Sequence, residues 1–145
     1  MYKHILVATD GSELSDQAVD AAVGLAGNLG AKLTGFHATQ DYPIMLFPDV
    51  AGSLSPATWK ADQGKRARRI LEKVEAKAKK AGVACDTGFS LAVHPYEAII
   101  EAAKKARCDL IVMASHGRRG IKGIVLGSET NKVLTHSKLP VLVYR

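Results

Sequence analysis

The chain has 145 residues, of which 47% are apolar, and a formal net charge of +6 at pH 7. This length fits one domain spanning 1–145, and this apolar share is enough for a packed core. The longest apolar runs fall far short of the roughly 20 residues of a membrane span, so no membrane partner is expected.

The first element is His4-Ile-Leu-Val-Ala-Thr9, an unbroken apolar run. Such runs suit a strand buried on both faces of a parallel sheet. The run starts almost at once, with no cleavage pattern before it, so export is not expected. It ends in Asp10-Gly11-Ser12. Ser12 reads as a helix N-cap, with Glu13 and Asp16 in the first turn. Ala18, Ala22, Leu25 and Leu29 then recur at helical spacing, and Gly30 ends the helix.

Lys32 to Ala38 is the second strand, followed by a loop from Thr39 to Leu54. The loop is long and carries an apolar stretch from Tyr42 to Pro48, consistent with packing on its own domain or with a lid or partner contact. Ser55-Pro56 opens a helix with proline at its first position. Ala67, Ile70, Leu71, Val74, Ala78 and Ala81 form its apolar stripe, and Gly82 closes it.

Residues 60–80 hold nine Lys or Arg against Asp62, Glu72 and Glu75, so the whole positive excess lies on this helix. Nucleic-acid readers combine such a patch with aromatic or groove-reading side chains. Only Trp59 is near, so nucleic acid is disfavoured and a solvated face is expected.

From Val83 to Leu91 apolar and small or polar residues alternate, the mark of a strand with one face less buried, as at a sheet edge. Tyr96, Ile99, Ile100 and Ala103 make a short helix after Pro95. Asp109 to Ala114 is a second unbroken apolar run, hence a central strand. Ser128 to His136 is a helix capped by Ser128, with Val133 and Leu134 inward, and Pro140 to Tyr144 is the last strand. Cys85 and Cys108 show no metal spacing and read as reduced residues of a cytoplasmic protein.

Regular β-α alternation predicts an α/β fold with helices on both faces of an open, Rossmann-like parallel sheet. An edge third strand and central first and fourth strands are met by the order 3-2-1-4-5. Its switch point lies between strands one and four, where ligands bind at the carboxyl ends. Those ends are Ala8-Thr-Asp-Gly11 and Met113 to Gly117.

The second of these ends continues as Ala114-Ser-His-Gly-Arg-Arg-Gly-Ile-Lys-Gly-Ile-Val-Leu-Gly-Ser128. Four glycines, three cations and a helix start describe either a phosphate cradle or an ordinary glycine-rich loop. Neither a Walker loop, nor the glycine fingerprint of a dinucleotide site, nor a Gly-x-Ser-x-Gly elbow is present.

Gly117, nine residues, then Gly127-Ser128, preceded by Met113-Ala-Ser-His116 and followed by a Pro-Val-Leu-Val strand, resembles the universal stress protein family. So do Val7-Ala-Thr-Asp-Gly-Ser12 and Phe36-His-Ala38, and the resemblance covers the whole chain. The family's ATP-binding pattern is glycine, two residues, glycine, nine residues, glycine, then serine or threonine. Ala114 replaces its first glycine, which departs from the pattern and is expected to weaken or alter binding, positive φ being costly for alanine.

The resemblance implies ATP or a related adenine nucleotide as ligand. It implies Asp10 facing the ribose hydroxyls or a Mg²⁺ on the phosphates, with Ala8 and its neighbour Thr9 in the same turn. It places Ala8 and Ala38 against adenine and Met113 beside the base or ribose. Gly117, Gly127, Ser128, Glu129 and Thr130 would donate to the phosphates. It further implies a homodimer through the C-terminal strand 140–144, whose bare apolar edge needs cover.

Simpler roles stand beside these. Asp10 also reads as a helix-capping acid, with the ligand role preferred. His116 reads as structural or solvent-facing, His4 and His37 as packing residues, and Arg118, Arg119 and Lys122 as phosphate contacts or solvated cations. Three functions are consistent with the sequence: an ATP-binding stress-response regulator with little or slow hydrolysis, a slow Mg²⁺-dependent ATPase or nucleotidyl-transfer enzyme using Asp10, and a protein-interaction module without nucleotide. The first is preferred because the parts that fast phosphoryl transfer recruits are missing from the sequence.

Overall fold

The computed structural model describes residues 1–41, 55–118, 120 and 126–145, Gln40 by its backbone alone. In chain order its elements are β1 His4–Ala8, α1 Glu13–Leu29, β2 Lys32–Gln40, α2 Pro56–Lys80, β3 Cys85–Ala92, α3 Pro95–Lys105, β4 Leu110–Ala114, α4 Ser128–His136 and β5 Val141–Tyr144. The strands form one parallel sheet in the order β3-β2-β1-β4-β5. β1 lies at its centre, with Ala8 level with Phe36 on one side and Met113 on the other. Thr39 and Gln40, assigned to a loop from the sequence, extend β2 opposite Leu91 and Ala92. The apolar stretch 42–48, Arg119, Lys122 and Gly123 lie outside the described residues.

The two unbroken runs are explained by what covers them. Ile5 and Val7 of β1, with Leu110 and Val112 of β4, pack against Val19, Ala22, Val23 and Ala26 of α1 and Val74 of α2. Their alternates Leu6, Ala8, Ile111 and Met113 pack against Ile99, Ile100 and Ala103 of α3 and Val133 of α4. Every side chain of both strands except the half-buried His4 is therefore enclosed, and a fully buried Leu6 contributes roughly 1.5–3 kcal/mol relative to exposure.

Local signals set the helix ends. The Ser12 hydroxyl accepts from the Ser15 amide, and Gly30 closes α1 at φ 62°, a left-handed conformation that glycine adopts without strain. Ser55 caps α2 through the Thr58 amide. α1 and α2 are further tied by Lys77, whose ammonium lies 2.9 Å from Asp16 and 2.8 Å from Asp20.

One inward assignment is corrected, and one large apolar side chain is left in solvent. Leu134 is 39% exposed, because α4 is covered along the row of Val133 and Thr130 alone. Phe89 is 45% exposed, because among the described residues no strand pairs beyond β3 and α2 meets the ring near Gly64. Among the described residues no helix is long and apolar enough to cross a membrane.

Candidate functional site

The carboxyl ends of β1 and β4 are adjacent, and the loops leaving them meet on Asp10. Its Oδ1 accepts from the Ser12 amide at 2.9 Å, and its Oδ2 accepts from the Arg118 amide at 2.8 Å. Asp10 thus caps its own turn and also clasps the β4 loop, joining residues 108 positions apart. Burial pushes its carboxyl up. The Ser12 side chain and amide and the Arg118 amide outweigh this by hydrogen-bonding the charged form, and hold the group below the ordinary aspartate value.

The sign gives a test. A depressed carboxyl contributes stability that is complete above its unfolded-state pKa and is lost as pH falls through the folded-state value. A carbon-13 titration of the Asp10 carboxyl is expected to show a midpoint below that of an unfolded aspartate. A midpoint at or above that value would show that the clasp does not form.

Thr9 is buried. Its hydroxyl lies 3.0 Å from the Ser15 hydroxyl and accepts from the Gly11 amide at 3.2 Å. Its carbonyl accepts from His37 Nδ1 at 2.8 Å, which fixes the imidazole proton on that nitrogen. His37, read as a packing residue, is buried and also pins the backbone just ahead of Asp10. Both residues are scaffold for the turn.

On the β4 side a Cβ added to Gly117 would land on Asp10 Oδ2. Glycine is required there because the two loops touch. The Gly120 amide donates to the Gly117 carbonyl at 3.0 Å, and a Cβ on Gly120 would strike the His116 ring. Gly120 is therefore a packed turn, fixed by a side chain that the sequence reading left without a partner. Gly127, not Ser128, is the N-cap of α4, with Ser128 its first helical residue. The Gly127 amide donates to the Ser115 carbonyl at 2.6 Å, and a Cβ on Gly127 would sit 3.3 Å from that oxygen and from His116 Cα. The start of α4 is thus sutured to the end of β4, with the amides of Ser128, Glu129 and Thr130 at its open first turn.

A model of the universal stress protein family matches residues 1–145. The chain belongs to the universal stress protein family. It is 33% identical over 150 residues to the universal stress protein YxiE of Bacillus subtilis, covering all of both chains. It is 35% identical over 146 residues to a universal stress protein of Thermus aquaticus, again over both full lengths. Among solved structures it resembles the hypothetical protein MJ0577 with a TM-score of 0.85 and 26% identity, over 99% of this chain and 96% of that one. It also resembles a universal stress protein in complex with cAMP, with a TM-score of 0.74 and 29% identity, over 99% and 97%.

In this universal stress protein Ala114 lies in β4, level with Tyr144, with φ outside the left-handed range. The cost expected from positive φ therefore does not arise. By strand alternation its methyl group points to the α1 side of the sheet, whereas Ala8, Ala38 and Met113 share the opposite face. The three residues that the resemblance places around the base are thus together, and the replacing alanine points away from them.

The Thr130 hydroxyl, an expected donor, and the Glu129 carboxylate are occupied elsewhere. The Thr130 hydroxyl donates to the Ala114 carbonyl at 2.9 Å in the interior. Glu129 Oε2 accepts from the Tyr96 amide at 2.9 Å and so caps α3, whose N-cap His94 makes no side-chain cap bond. These residues offer a ligand their amides only. Ser115 Oγ lies 3.2 Å from His116 Nδ1, yet Ser115 is 3% exposed and its amide is held by the Tyr144 carbonyl at 2.7 Å. That pair reads as structural support for the loop.

The sequence reading missed Arg66, Arg69 and Lys73. They line a cleft of about 350 Å³ together with Gly11, Ser12 and Arg118. The helical spacing of the three on α2 was visible, but what they face was not.

Proposed function

We propose that this universal stress protein is an adenine-nucleotide-binding regulator of the stress-response type, taking ATP with slow hydrolysis at most. The observation that carries the reading is the meeting of Asp10 with the Gly117–Arg118 backbone beside the open first turn of α4. Anionic oxygens suit this place, because unpaired amides and the positive end of the helix point to it. Ala8, Ala38 and Met113 offer a small apolar floor for the base on one face of the same strand ends. The cAMP carried by the relative of 29% identity supports an adenine ring in this fold.

Asp10 fits one metal contact. Each of its oxygens accepts one amide hydrogen and keeps capacity for another partner, and Mg²⁺ is commonly held by one carboxylate together with substrate phosphates. Among the described residues no group of three His, Cys, Asp or Glu could hold a metal alone. Mg²⁺ would therefore arrive with the phosphates and neutralise their charge. Asp10 is poorly suited to act as a base. A carboxylate held below its ordinary pKa by the Ser12 side chain and two amides takes a proton reluctantly, which favours binding over turnover.

The test is to denature the purified protein, identify any released nucleotide, and titrate ATP with and without Mg²⁺. Saturable ATP binding that tightens with Mg²⁺ is expected. An empty protein with neither binding nor thermal shift would sink the reading.

The outer side of β5 leaves a strand edge with Leu142 39% exposed. We propose that a second copy covers residues 140–144, since bare apolar edges invite pairing. Sedimentation at micromolar concentration is expected to show a dimer, and a monomer would contradict this.

A further inference from the structure

The cleft of about 350 Å³ between α1 and α2 lies on the side of the sheet opposite Ala8 and Met113. Arg66, Arg69 and Lys73 stand at i, i+3 and i+7 on α2 and share one wall of it. Arg118 forms the facing wall, and Ile70 and Val74 contribute apolar lining. Ser12, the N-cap of the 17-residue α1, opens into the same space. Ser12 accepts from the Ser15 and Asp16 amides, so the earlier amides of the first turn remain available to an anion.

Two acids also line the cleft, Glu13 and Asp16. Asp16 is paired with Lys77 at 2.9 Å, which leaves Glu13 against the four cations. None of those four cations is ion-paired among the described residues. Gly11 keeps the walls close. It has φ 76°, and a Cβ there would meet Ile70 Cγ1 at 2.9 Å and Arg118 Nη2 at 3.2 Å. Any side chain at this position would press against both the floor and the guanidinium. A solvated helix face explains none of this convergence, because repulsion between like charges favours spreading them.

We propose that this cleft is a second anion site, adjoining the strand-end site and sharing Gly11 and Arg118 with it, that takes an oligophosphate or a phosphorylated small molecule. Its volume lies at the small end of ligand pockets, which favours a compact anion over a bulky one. Arginine forks supply paired donors to phosphate oxygens, and the first-turn amides supply fixed ones. Because the cations are exposed, binding falls as ionic strength rises.

The experiment is calorimetric titration of tripolyphosphate into the wild type, Arg66→Gln/Arg69→Gln and Gly127→Val, at low and at high salt. Arg118 is left intact because its amide holds Asp10. Both substituted arginines are exposed, and far-UV circular dichroism checks that the fold is kept. Saturable binding that Gly127→Val retains is expected in the wild type, and this component is weakened about tenfold or more in the double variant. Equal binding by the wild type and the double variant would overturn the proposal. Loss in Gly127→Val alone would also overturn it, by moving the anion to the start of α4. A short RNA duplex that binds the wild type, displaces tripolyphosphate and is lost in the double variant would overturn it in favour of a nucleic-acid surface.

Discussion

Gly127→Val is expected to lower ATP affinity by about a hundredfold or more, equivalent to about 2.7 kcal/mol, while the fold survives. The backbone conformation is not the obstacle, since Gly127 at φ −68° and ψ 158° is in a region open to any residue. The obstacle is space. The first added carbon sits 3.3 Å from the Ser115 carbonyl oxygen and from His116 Cα, and neither is a flexible side-chain end. Valine adds two further methyl groups to that contact.

The relief available is to move the start of α4 away from β4, stretching the 2.6 Å bond from the Gly127 amide to Ser115. That movement displaces the amides of Ser128, Glu129 and Thr130 together. Hydrogen bonds to charged groups contribute about 1.5–3 kcal/mol each, so losing two is enough for the expected effect. The stability cost belongs to overpacking, about 1–3 kcal/mol, read as a fall in Tm of roughly 2–4 °C per kcal/mol. Isothermal titration and a thermal melt give both numbers. An ATP affinity within threefold of the wild type would remove the start of α4 from the site.

Gly117→Ala is the second large effect, and it acts through Asp10. The new methyl group would occupy the position of Asp10 Oδ2, so the carboxylate must rotate or the loop must lift. Either response breaks the 2.8 Å bond from the Arg118 amide and separates the loops of β1 and β4. A stability loss of about 1–3 kcal/mol and an ATP affinity at least tenfold lower are expected, because the lost bond is charge-assisted and the new contact is repulsive. The Asp10 carboxyl should move back toward the ordinary aspartate value, since one of the bonds holding it down is gone. An unchanged Asp10 titration in this variant would show that the clasp is not what depresses it. Asp10→Asn serves as a companion. It keeps the shape but turns one acceptor into a donor facing an amide, so it should weaken the same closure without adding bulk.

Much of the fold was legible because covering a strand on both faces requires an unbroken apolar run. His4 to Ala8 and Leu110 to Ala114 show such runs and are the two central neighbours. The alternation after Val83 marked β3 as an edge, where it lies. The inward assignment of Leu134 went astray, and the exposure of Phe89 was not legible, for one reason. Periodicity says that a side chain belongs to a face, and only the neighbouring elements decide how far that face is covered.

The site divides in the same way. The strand ends and the glycine-rich stretch before α4 could be read from residue type and position, since glycines before a helix carry local geometry with them, whereas Asp10, Gly117 and Gly127 were singled out by the resemblance to the family. Their partners could not be read. Nothing in the spacing of Thr130 tells that its hydroxyl turns to the Ala114 carbonyl, or in Glu129 that its carboxylate reaches across to cap α3. Hydroxyl and carboxylate groups bond whichever complementary group packing brings within about 3 Å, and packing is set by elements far apart in the chain.

By itself, then, the sequence determined the elements, their order in the sheet and the strand ends where the chain gathers its glycines, because those follow from burial and backbone freedom. The tertiary structure alone decided that Asp10 clasps Arg118, that Ala114 turns away from Ala8 and Met113, and that three cations of α2 face the start of α1. Each of these is a meeting of residues remote in sequence, and only the folded arrangement of sheet and helices brings them within bonding distance.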